Sequence, residues 1–551
     1  MRSLRDVLMN VLGQADEIRE TVCTFVQSRG MVLAPARQLN RGTGASESLP
    51  SIPHSIHTAD KGVMRMVTTV PTASLGHEAL SSPSSPRDQR RVIAATVVGT
   101  TIEWYDFFIY ANAAALVFKE LFFGPAANGD PVLGQVFSFL TVGISFLFRP
   151  LGAVLVGHFG DKLGRKAMLV ITLVLMGAAT ALIGILPTYR DAGMLAPILL
   201  ITLRVLQGIS AGGEWGGAVL MAVEHAPVDK RGRFGMYPQL GVPLGMLLAT
   251  GTLALMSGFI APGDAFTEWG WRVPFLLSIV LVIVGFVVRR AVEESPVFQE
   301  IAEKGKDAQM PIVALMKRHW KLVILLALIF AGNNAVGYML TGGYILSYST
   351  NADIWGELAM NRTTVLNCVT VGAIVWGVAT LVSGYMSDWI GRKSTYVIGF
   401  LCQVLGVFPL FFLVDHGIAS GEVLWVLLAL GQLAVGLGLT YGPQSAWYAE
   451  TFPASVRTSG VSISYALGAI VGGAFAPTIA TALQSQFHSS MAVGFYLLVM
   501  SVVGLAATLV LKDRQGIPLG VEFEESGEYH LFDPRLRDLE AQRRELGHSV
   551  R

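Results

Sequence analysis

From Val92 onward the chain alternates between long apolar runs and short polar connections. Twelve such runs stand out, at 92–118, 132–157, 167–187, 195–224, 235–260, 271–291, 320–348, 364–386, 394–414, 421–449, 461–484 and 490–511. A helix needs about 20 apolar residues to cross the hydrocarbon of a bilayer. The lipid also forces each backbone polar group to be satisfied within its own span. The pattern therefore predicts an all-α membrane protein with twelve transmembrane helices. Residues 1–90 are polar and mixed, and SSPSSPRDQRR (Ser81–Arg91) reads as a disordered cytoplasmic lead-in. No apolar core of a signal peptide follows the first basic residues. Met64 and Met66 offer later starts, so residues 1–63 read either as a dispensable extension or as a start-site artefact. The expected organisation is 1–90 extension, 91–291 first half, 292–319 cytoplasmic central loop, 320–511 second half and 512–551 cytoplasmic tail.

Basic residues orient the spans. Alternate loops hold Arg87, Arg90 and Arg91, then Lys162, Arg165 and Lys166, then Lys230, Arg231 and Arg233, and so on to Arg392, Lys393, Arg457, Lys512 and Arg514. The other loops hold only Lys119, Arg190, Arg272 and Arg362. The positive-inside rule then puts both termini in the cytoplasm of a multi-pass plasma (inner) membrane protein. Composition agrees: 52% of the 551 residues are hydrophobic and only 14% are charged, against about a quarter charged in a soluble chain. A net charge of +1 gives no field for nucleic acid, and three cysteines build no disulfide framework. No metal-ligand spacing, nucleophile elbow or phosphate-binding loop is present, which argues against an enzyme and against any cofactor other than a coupled proton.

Two loops repeat. GHFGDKLGRK (Gly157–Lys166) and GYMSDWIGRK (Gly384–Lys393) share Gly, Asp, Gly, Arg and Lys at one shift. EHAPVDKRGRFG (Glu224–Gly235) and ETFPASVRTSG (Glu450–Gly460) share Glu, Pro and Arg at nearly the same shift. Two motifs at one spacing predict two pseudo-symmetric six-helix halves. Orientation requires only Lys and Arg, so the acids suggest breakable charge locks. The candidates are Asp161, Arg165 and Lys166, Asp388, Arg392 and Lys393, and Glu224, Arg231, Glu450 and Arg457.

Charges also lie inside spans, where each costs roughly 2.5–3.5 kcal/mol on insertion scales. Glu103, Asp106 and Tyr110 share one helix face in TTIEWYDFFIY (Thr100–Tyr110), and Arg204, Gln207 and Glu214 share one face of the fourth span. Arg149 precedes Pro150 on the second. Counting rise per residue puts Asp106 and Arg204 near the midplane and Glu103, Arg149 and Glu214 closer to the cytoplasm. Three acids against two arginines leave one carboxylate over. A carboxylate without a counter-charge in low dielectric can hold a proton near neutral pH. Asp106, Glu103 and Glu214 are the candidate proton carriers. The plain alternative is that the charges pair and hold helices together. Small residues at Gly208, Gly212 and Gly216, at Gly241 and Gly245, and at Gly468 and Gly472 allow close helix packing.

On GDKLGRK, SDWIGRK and RVLQG (Arg204–Gly208) the sequence resembles the major facilitator superfamily. On EWYDFFIY, FRPLGA (Phe148–Ala153), RVLQGISAGGEWGGA (Arg204–Ala218), KRGRFG and ETFPASVRTSG it resembles that superfamily's metabolite:proton symporter family, which includes shikimate, α-ketoglutarate, citrate and proline/betaine permeases. The resemblance covers roughly residues 90–512. It implies a central cavity lined by helices one, four, seven and ten. Substrate contacts are then expected from Arg149, Arg204, Tyr110, Gln207, Gln239, Asn333, Asn334, Tyr338, Tyr441, Gln444 and Trp447. Leu536, Leu539 and Leu546 make about one heptad, too little for the coiled coil of the osmosensing branch. The expected activity is proton-coupled uptake of a small organic acid by alternating access, in a chain functional as a monomer. The alternatives are proline/betaine uptake, an uncoupled uniporter or exchanger, and a transport-dead sensor.

Overall fold

The computed structural model describes residues 86–163, 165–212, 214–290, 311–341, 343–520 and 523–524. Within these, side chains are described except at 86–92, 156–169, 214, 288–290, 311–314 and 341. The expectations for the N-terminal extension, the heart of the central loop, the end of the tail, and the side chains of Asp161, Arg165, Lys166 and Glu214 lie outside the described residues.

Twelve helices run through the described residues, and each apolar run of the sequence forms one. They are α1 (Pro86–Ala113, continued by a π-helical run Ala114–Phe123), α2 (Pro131–Leu163), α3 (Arg165–Gly184) and α4 (Leu195–Ala211 and Glu214–Glu224). Next come α5 (Arg231–Leu255, then Met256–Ile260), α6 (Phe266–Gly270 and Arg272–Arg290) and α7 (Pro311–Thr341 and Tyr344–Ser349). The series ends with α8 (Arg362–Ile390), α9 (Arg392–Ser420), α10 (Val423–Tyr441 and Gln444–Thr451), α11 (Arg457–Ala469, Ile470–Ala474 and Ala476–Phe487) and α12 (Ser490–Val510). Ten of the described helices are long and apolar enough to cross a membrane, and α3 adds a shorter apolar run, Val170–Gly184. The remaining helix, α1, is the one carrying Glu103 and Asp106.

The helices pack as two sets that mirror each other. Helix α2 lies along α4 and α1 along α5, as α8 lies along α10 and α7 along α11. The sets meet where α5 lies along α8 and α2 along α11. Irregularities fall at matched places. Helix α10 breaks after mid-span, and α1 and α7 both lose regular α-helix roughly three-quarters of the way along. Gly343, at φ +81°, makes the break in α7 possible without steric cost. Glycine and the Gly442-Pro443 step explain the break in α10.

Burial runs opposite to that of a soluble protein. Ile283, Leu405, Phe412 and Val510 point outward and are more than half exposed, while Glu103, Asp106, Arg149 and Arg204 are almost wholly buried. An apolar rim around a polar interior is what a hydrocarbon solvent selects.

Candidate transport site

The glycines of α4 set the site. A Cβ on Gly208 would collide with the carbonyl of Ser145, one on Gly212 with that of Arg149, and one on Gly152 of α2 with that of Ile209. The α2 and α4 backbones are therefore in direct contact, and this lets Arg204 of α4 reach Thr141 and Ser145 of α2. In the same way Gly241 and Gly245 hold α5 against Thr100–Tyr105 of α1, and Gly468 and Gly472 hold α11 against α7.

Two arginines sit in this interior and are used differently. Arg204 is fully engaged by neutral groups. Its Nη1 donates to Gln207 Oε1 (2.6 Å), Nη2 to Ser145 Oγ (2.7 Å) and Nε to the Thr141 carbonyl (3.3 Å), while its guanidinium lies 3.7 Å from the Tyr110 ring centre. Tyr110 donates to Thr141 Oγ1 (2.6 Å), and Gln207 Nε2 donates to Thr180 Oγ1 (2.7 Å). The expectation of two acid–base groupings at matched depth is met only in part, because no carboxylate lies within 4.0 Å of Arg204 among the described residues. Neutral oxygens on α2 reach the guanidinium first.

Arg149 is the cation with open donors. Its guanidinium lies over the stacked rings of Phe107 (4.4 Å) and Phe146 (4.5 Å), and its Nη2 is 3.9 Å from Glu103 Oε1. Its Nε and Nη2 have no hydrogen-bond partner among the described residues. Asp106 is buried, and its Oδ1 likewise has none. It forms no ion pair within 4.0 Å among the described residues, and the Thr180 side chain lies beside it.

The second half faces this set with aromatic and amide groups. Tyr338 meets Phe146 edge to face at 5.6 Å, and Tyr441 meets Trp376 of α8 at 5.1 Å. Tyr465 of α11 stacks between Trp215 of α4 (3.7 Å) and Phe330 of α7 (4.3 Å). Asn334 lies against Gly473 beside Tyr338. The indole N–H groups of Trp104 and Trp376 and the Tyr465 hydroxyl have no partner among the described residues. Four expected residues are committed elsewhere. Asn333 accepts from Gln403 (2.8 Å) and Thr440, tying α7 to α9 and α10. Trp447 packs on Tyr396 of α9 (4.8 Å). Gln239 accepts from Trp215 Nε1 (3.2 Å) and donates to Gln444 Oε1 (2.9 Å), so these two amides bridge the halves.

Sequence reasoning missed Trp104, Trp215, Trp376, Tyr465 and Asp415. Trp104 and Trp215 stand inside stretches singled out above, but their apolar bodies read as packing. Asp415 sits one residue past the expected ninth run and accepts from Tyr348 (2.9 Å) and Ser490 (2.6 Å).

At one end the halves are tied by charge. Glu450 accepts from Arg392 Nε (3.1 Å) and lies 3.5 Å from Arg231 of the other half. Asp388 accepts from Arg392 Nη1 (2.7 Å), from the backbone N–H of Gly232 (2.7 Å) and of Arg233 (3.0 Å), and lies 3.6 Å from the Arg233 guanidinium. Arg457 reaches Glu224 at 3.6 Å. Lys393 instead caps α12, donating to the Leu509 and Leu511 carbonyls. The segment after α12 does not leave the protein at once. Arg231 donates to the Ile517 carbonyl, Arg457 to the Leu519 carbonyl (2.9 Å), and the Gly516 N–H donates to Glu450 (3.2 Å).

Charges withheld from lipid, and breakable charge ties between the halves at one end, suit a carrier whose halves part and rejoin. The class defined is a polytopic membrane transporter. Residues 92–319 match the family model described as Sugar (and other) transporter, and residues 341–541 match the one described as Major Facilitator Superfamily. The chain belongs to the major facilitator superfamily. It is 40% identical over 445 residues to the Escherichia coli inner membrane metabolite transport protein YhjE, covering 80% of this chain and 98% of that one. It is 37% identical over 434 residues to the Escherichia coli shikimate transporter, covering 77% and 95%. It is 32% identical over 440 residues to the glycine betaine/proline/ectoine/pipecolic acid transporter OusA of Dickeya dadantii, covering 78% and 84%. Among solved structures, the proton:xylose symporter XylE bound to 6-bromo-6-deoxy-D-glucose shares the fold, with a TM-score of 0.63 at 16% identity over 80% of this chain and 99% of that one.

Proposed function

We propose that the chain imports a small hydroxylated organic acid together with a proton, by alternating access across a plasma (inner) membrane, with the charge-tied end and both termini in the cytoplasm. The observation that carries this reading is Asp106: a buried carboxylate in a membrane span, with an oxygen that no hydrogen-bond donor reaches and no cation within 4.0 Å among the described residues. Holding it ionised there is costly, and binding a proton removes the cost. The Thr180–Gln207–Arg204 chain beside it links its protonation to the α2–α4 contact. Arg149, with open N–H groups beside two stacked aromatic rings, is the group for the substrate carboxylate, which would compete with Glu103. The unpartnered indoles and the Tyr465 hydroxyl suit a hydroxylated ring. The shikimate transporter among the relatives supports that substrate class.

In the cycle, a proton on Asp106 and a carboxylate on Arg149 neutralise the interior. The halves then part at the charge-tied end, breaking the Glu450, Asp388 and Glu224 contacts, and both ligands leave to the cytoplasm. One proton with one monocarboxylate carries no net charge, so the pH gradient rather than the membrane potential drives the step, at about 1.4 kcal/mol per pH unit. Accumulation of radiolabelled shikimate in proteoliposomes, with and without a protonophore, tests the reading. Coupled import predicts that accumulation collapses with the protonophore, and uptake indifferent to the proton gradient would remove the coupling.

A further inference from the structure

Four basic residues stand at the end opposite the charge ties, against the trend of the chain. Two of them serve the fold locally. Arg272 donates to the Gly184 (3.0 Å) and Leu186 (2.6 Å) carbonyls, and Arg190 lies in the short helix Tyr189–Ala192 beside Asp191. The other two, Lys119 of α1 and Arg362 of α8, come from opposite halves and line one cleft of about 410 Å³. Neither makes an ion pair or a hydrogen bond among the described residues. The Arg362 guanidinium lies over the Phe266 ring at 4.8 Å. Asn351 and Asn361 share the cleft. Their oxygens cap the following helical turns, at 2.9 Å from the N–H groups of Asp353 and Thr363, so what each side chain has left to offer a ligand is its amide N–H donors.

We propose that this cleft is a capture site for a hydroxylated monocarboxylate, separate from the interior site. The proposal deepens the transport reading and rests on it for the direction of travel. Lys119 lies thirteen residues beyond Asp106 on α1, roughly 15–20 Å along the helix, so a ligand held here does not touch Arg149. Its carboxylate sits between Lys119 and Arg362, and its hydroxyls accept from the asparagine amides. Glu120 and Asp264 line the same cleft, so its charges balance. A single carboxylate held by both cations is accepted, whereas the second carboxylate of a dianion has no cation left to meet beside Glu120 and Asp264 and is disfavoured.

The test uses the full chain with Cys23, Cys368 and Cys402 replaced by serine and one probe cysteine, Thr267→Cys, on the cleft wall. N-ethylmaleimide labelling is timed with shikimate as the monocarboxylate and α-ketoglutarate as the dianion. For a millimolar site, about 10 mM shikimate fills roughly nine-tenths of the protein and slows labelling about tenfold. The proposal expects that protection in the parent, weaker protection by α-ketoglutarate, loss of protection in Lys119→Gln and in Arg362→Gln, and its persistence in Arg149→Gln. Absence of protection in the parent overturns it. Protection that vanishes with Arg149→Gln also overturns it, because the cleft would then only report the interior site. Neither result depends on the protonophore experiment, so the transport reading stands or falls separately.

Discussion

Gln207 joins Arg204 to Thr180: its side-chain oxygen accepts from Arg204 at 2.6 Å, and its amide donates to the Thr180 hydroxyl at 2.7 Å. No carboxylate within 4.0 Å balances this buried arginine among the described residues, so its neutral acceptors are what keep it in place. Gln207→Leu removes one acceptor and leaves a guanidinium N–H unmet, at a cost of about 1–3 kcal/mol. The expected result is a lowered melting temperature in detergent. Gln207→Glu restores an acceptor, so its melting temperature should stay nearer that of the parent. Equal melting temperatures for all three would show that Arg204 finds other partners.

Asp106→Asn fixes the neutral form of the carboxyl in both states of the cycle. A protonated carrier can exchange substrate, but it has no proton to release. The variant should lose accumulation driven by a pH gradient and keep substrate-for-substrate counterflow. Counterflow and gradient-driven uptake, measured on one proteoliposome preparation, separate the two. Unchanged accumulation would exclude Asp106 as the carrier and turn attention to Glu103.

Gly212 touches the Arg149 backbone so closely that no side chain fits between α2 and α4. Gly212→Val must push the helices apart and displace both arginines. Loss of binding and a fall of several degrees in melting temperature are expected. Gly217 has open space around an added Cβ, so Gly217→Ala should behave like the parent. The pair distinguishes packing from helix propensity.

The fold was readable because membrane helices announce themselves by length and apolar content, and because the repeated Asp–Gly–Arg–Lys loops give away the two halves. The face shared by Glu103, Asp106 and Tyr110 was readable from helical spacing alone. Partner choice was not. Arg204 prefers Ser145 and Gln207 to Asp106 because α2 comes close through glycines whose contacts no one-dimensional pattern specifies. Asn333 reads as a cavity residue, yet it turns toward Gln403 because α9 and α10 offer two donors to its side-chain oxygen. The charge ties were visible as motifs, but the return of residues 513–519 into them was not. That segment binds largely through backbone groups, which are the same at every position.

Glu450 holds Arg392 and Arg231 from the two halves and also accepts the Gly516 N–H. Glu450→Gln leaves the buried Arg231 without an ion-pair partner among the described residues and Arg392 with Asp388 alone. Breaking such a cluster from one side costs about 3–5 kcal/mol. The cost falls on the tied state, so the population should shift toward molecules open at this end. In a cysteine-free background, Ser445→Cys, which is buried against Gly235 across the halves, should be labelled faster by a maleimide when Glu450→Gln is added. An unchanged rate would mean the ties do not close this end.

Asp513, just beyond α12, accepts the backbone N–H groups of Lys393 (3.0 Å) and Gln515 (3.1 Å) and anchors the start of the returning segment. Burial pushes its carboxyl above the ordinary range and the nearby Glu450 charge adds to this, while the two N–H donors and Arg392 pull the other way. The docked segment therefore binds a proton more tightly than a free one does. Its docking is strongest below the ordinary carboxylate value of about 3.9 and weakens as pH rises through the higher docked value. Other carboxylates titrate over the same span, so the informative quantity is the difference between the parent and Asp513→Asn. Hydrogen exchange at Ile517 and Leu519 between mildly acidic and neutral pH should show protection falling with pH in the parent and falling less in the variant. A difference of the opposite sign would mean that the N–H donors outweigh burial and that Asp513 anchors the segment as a carboxylate.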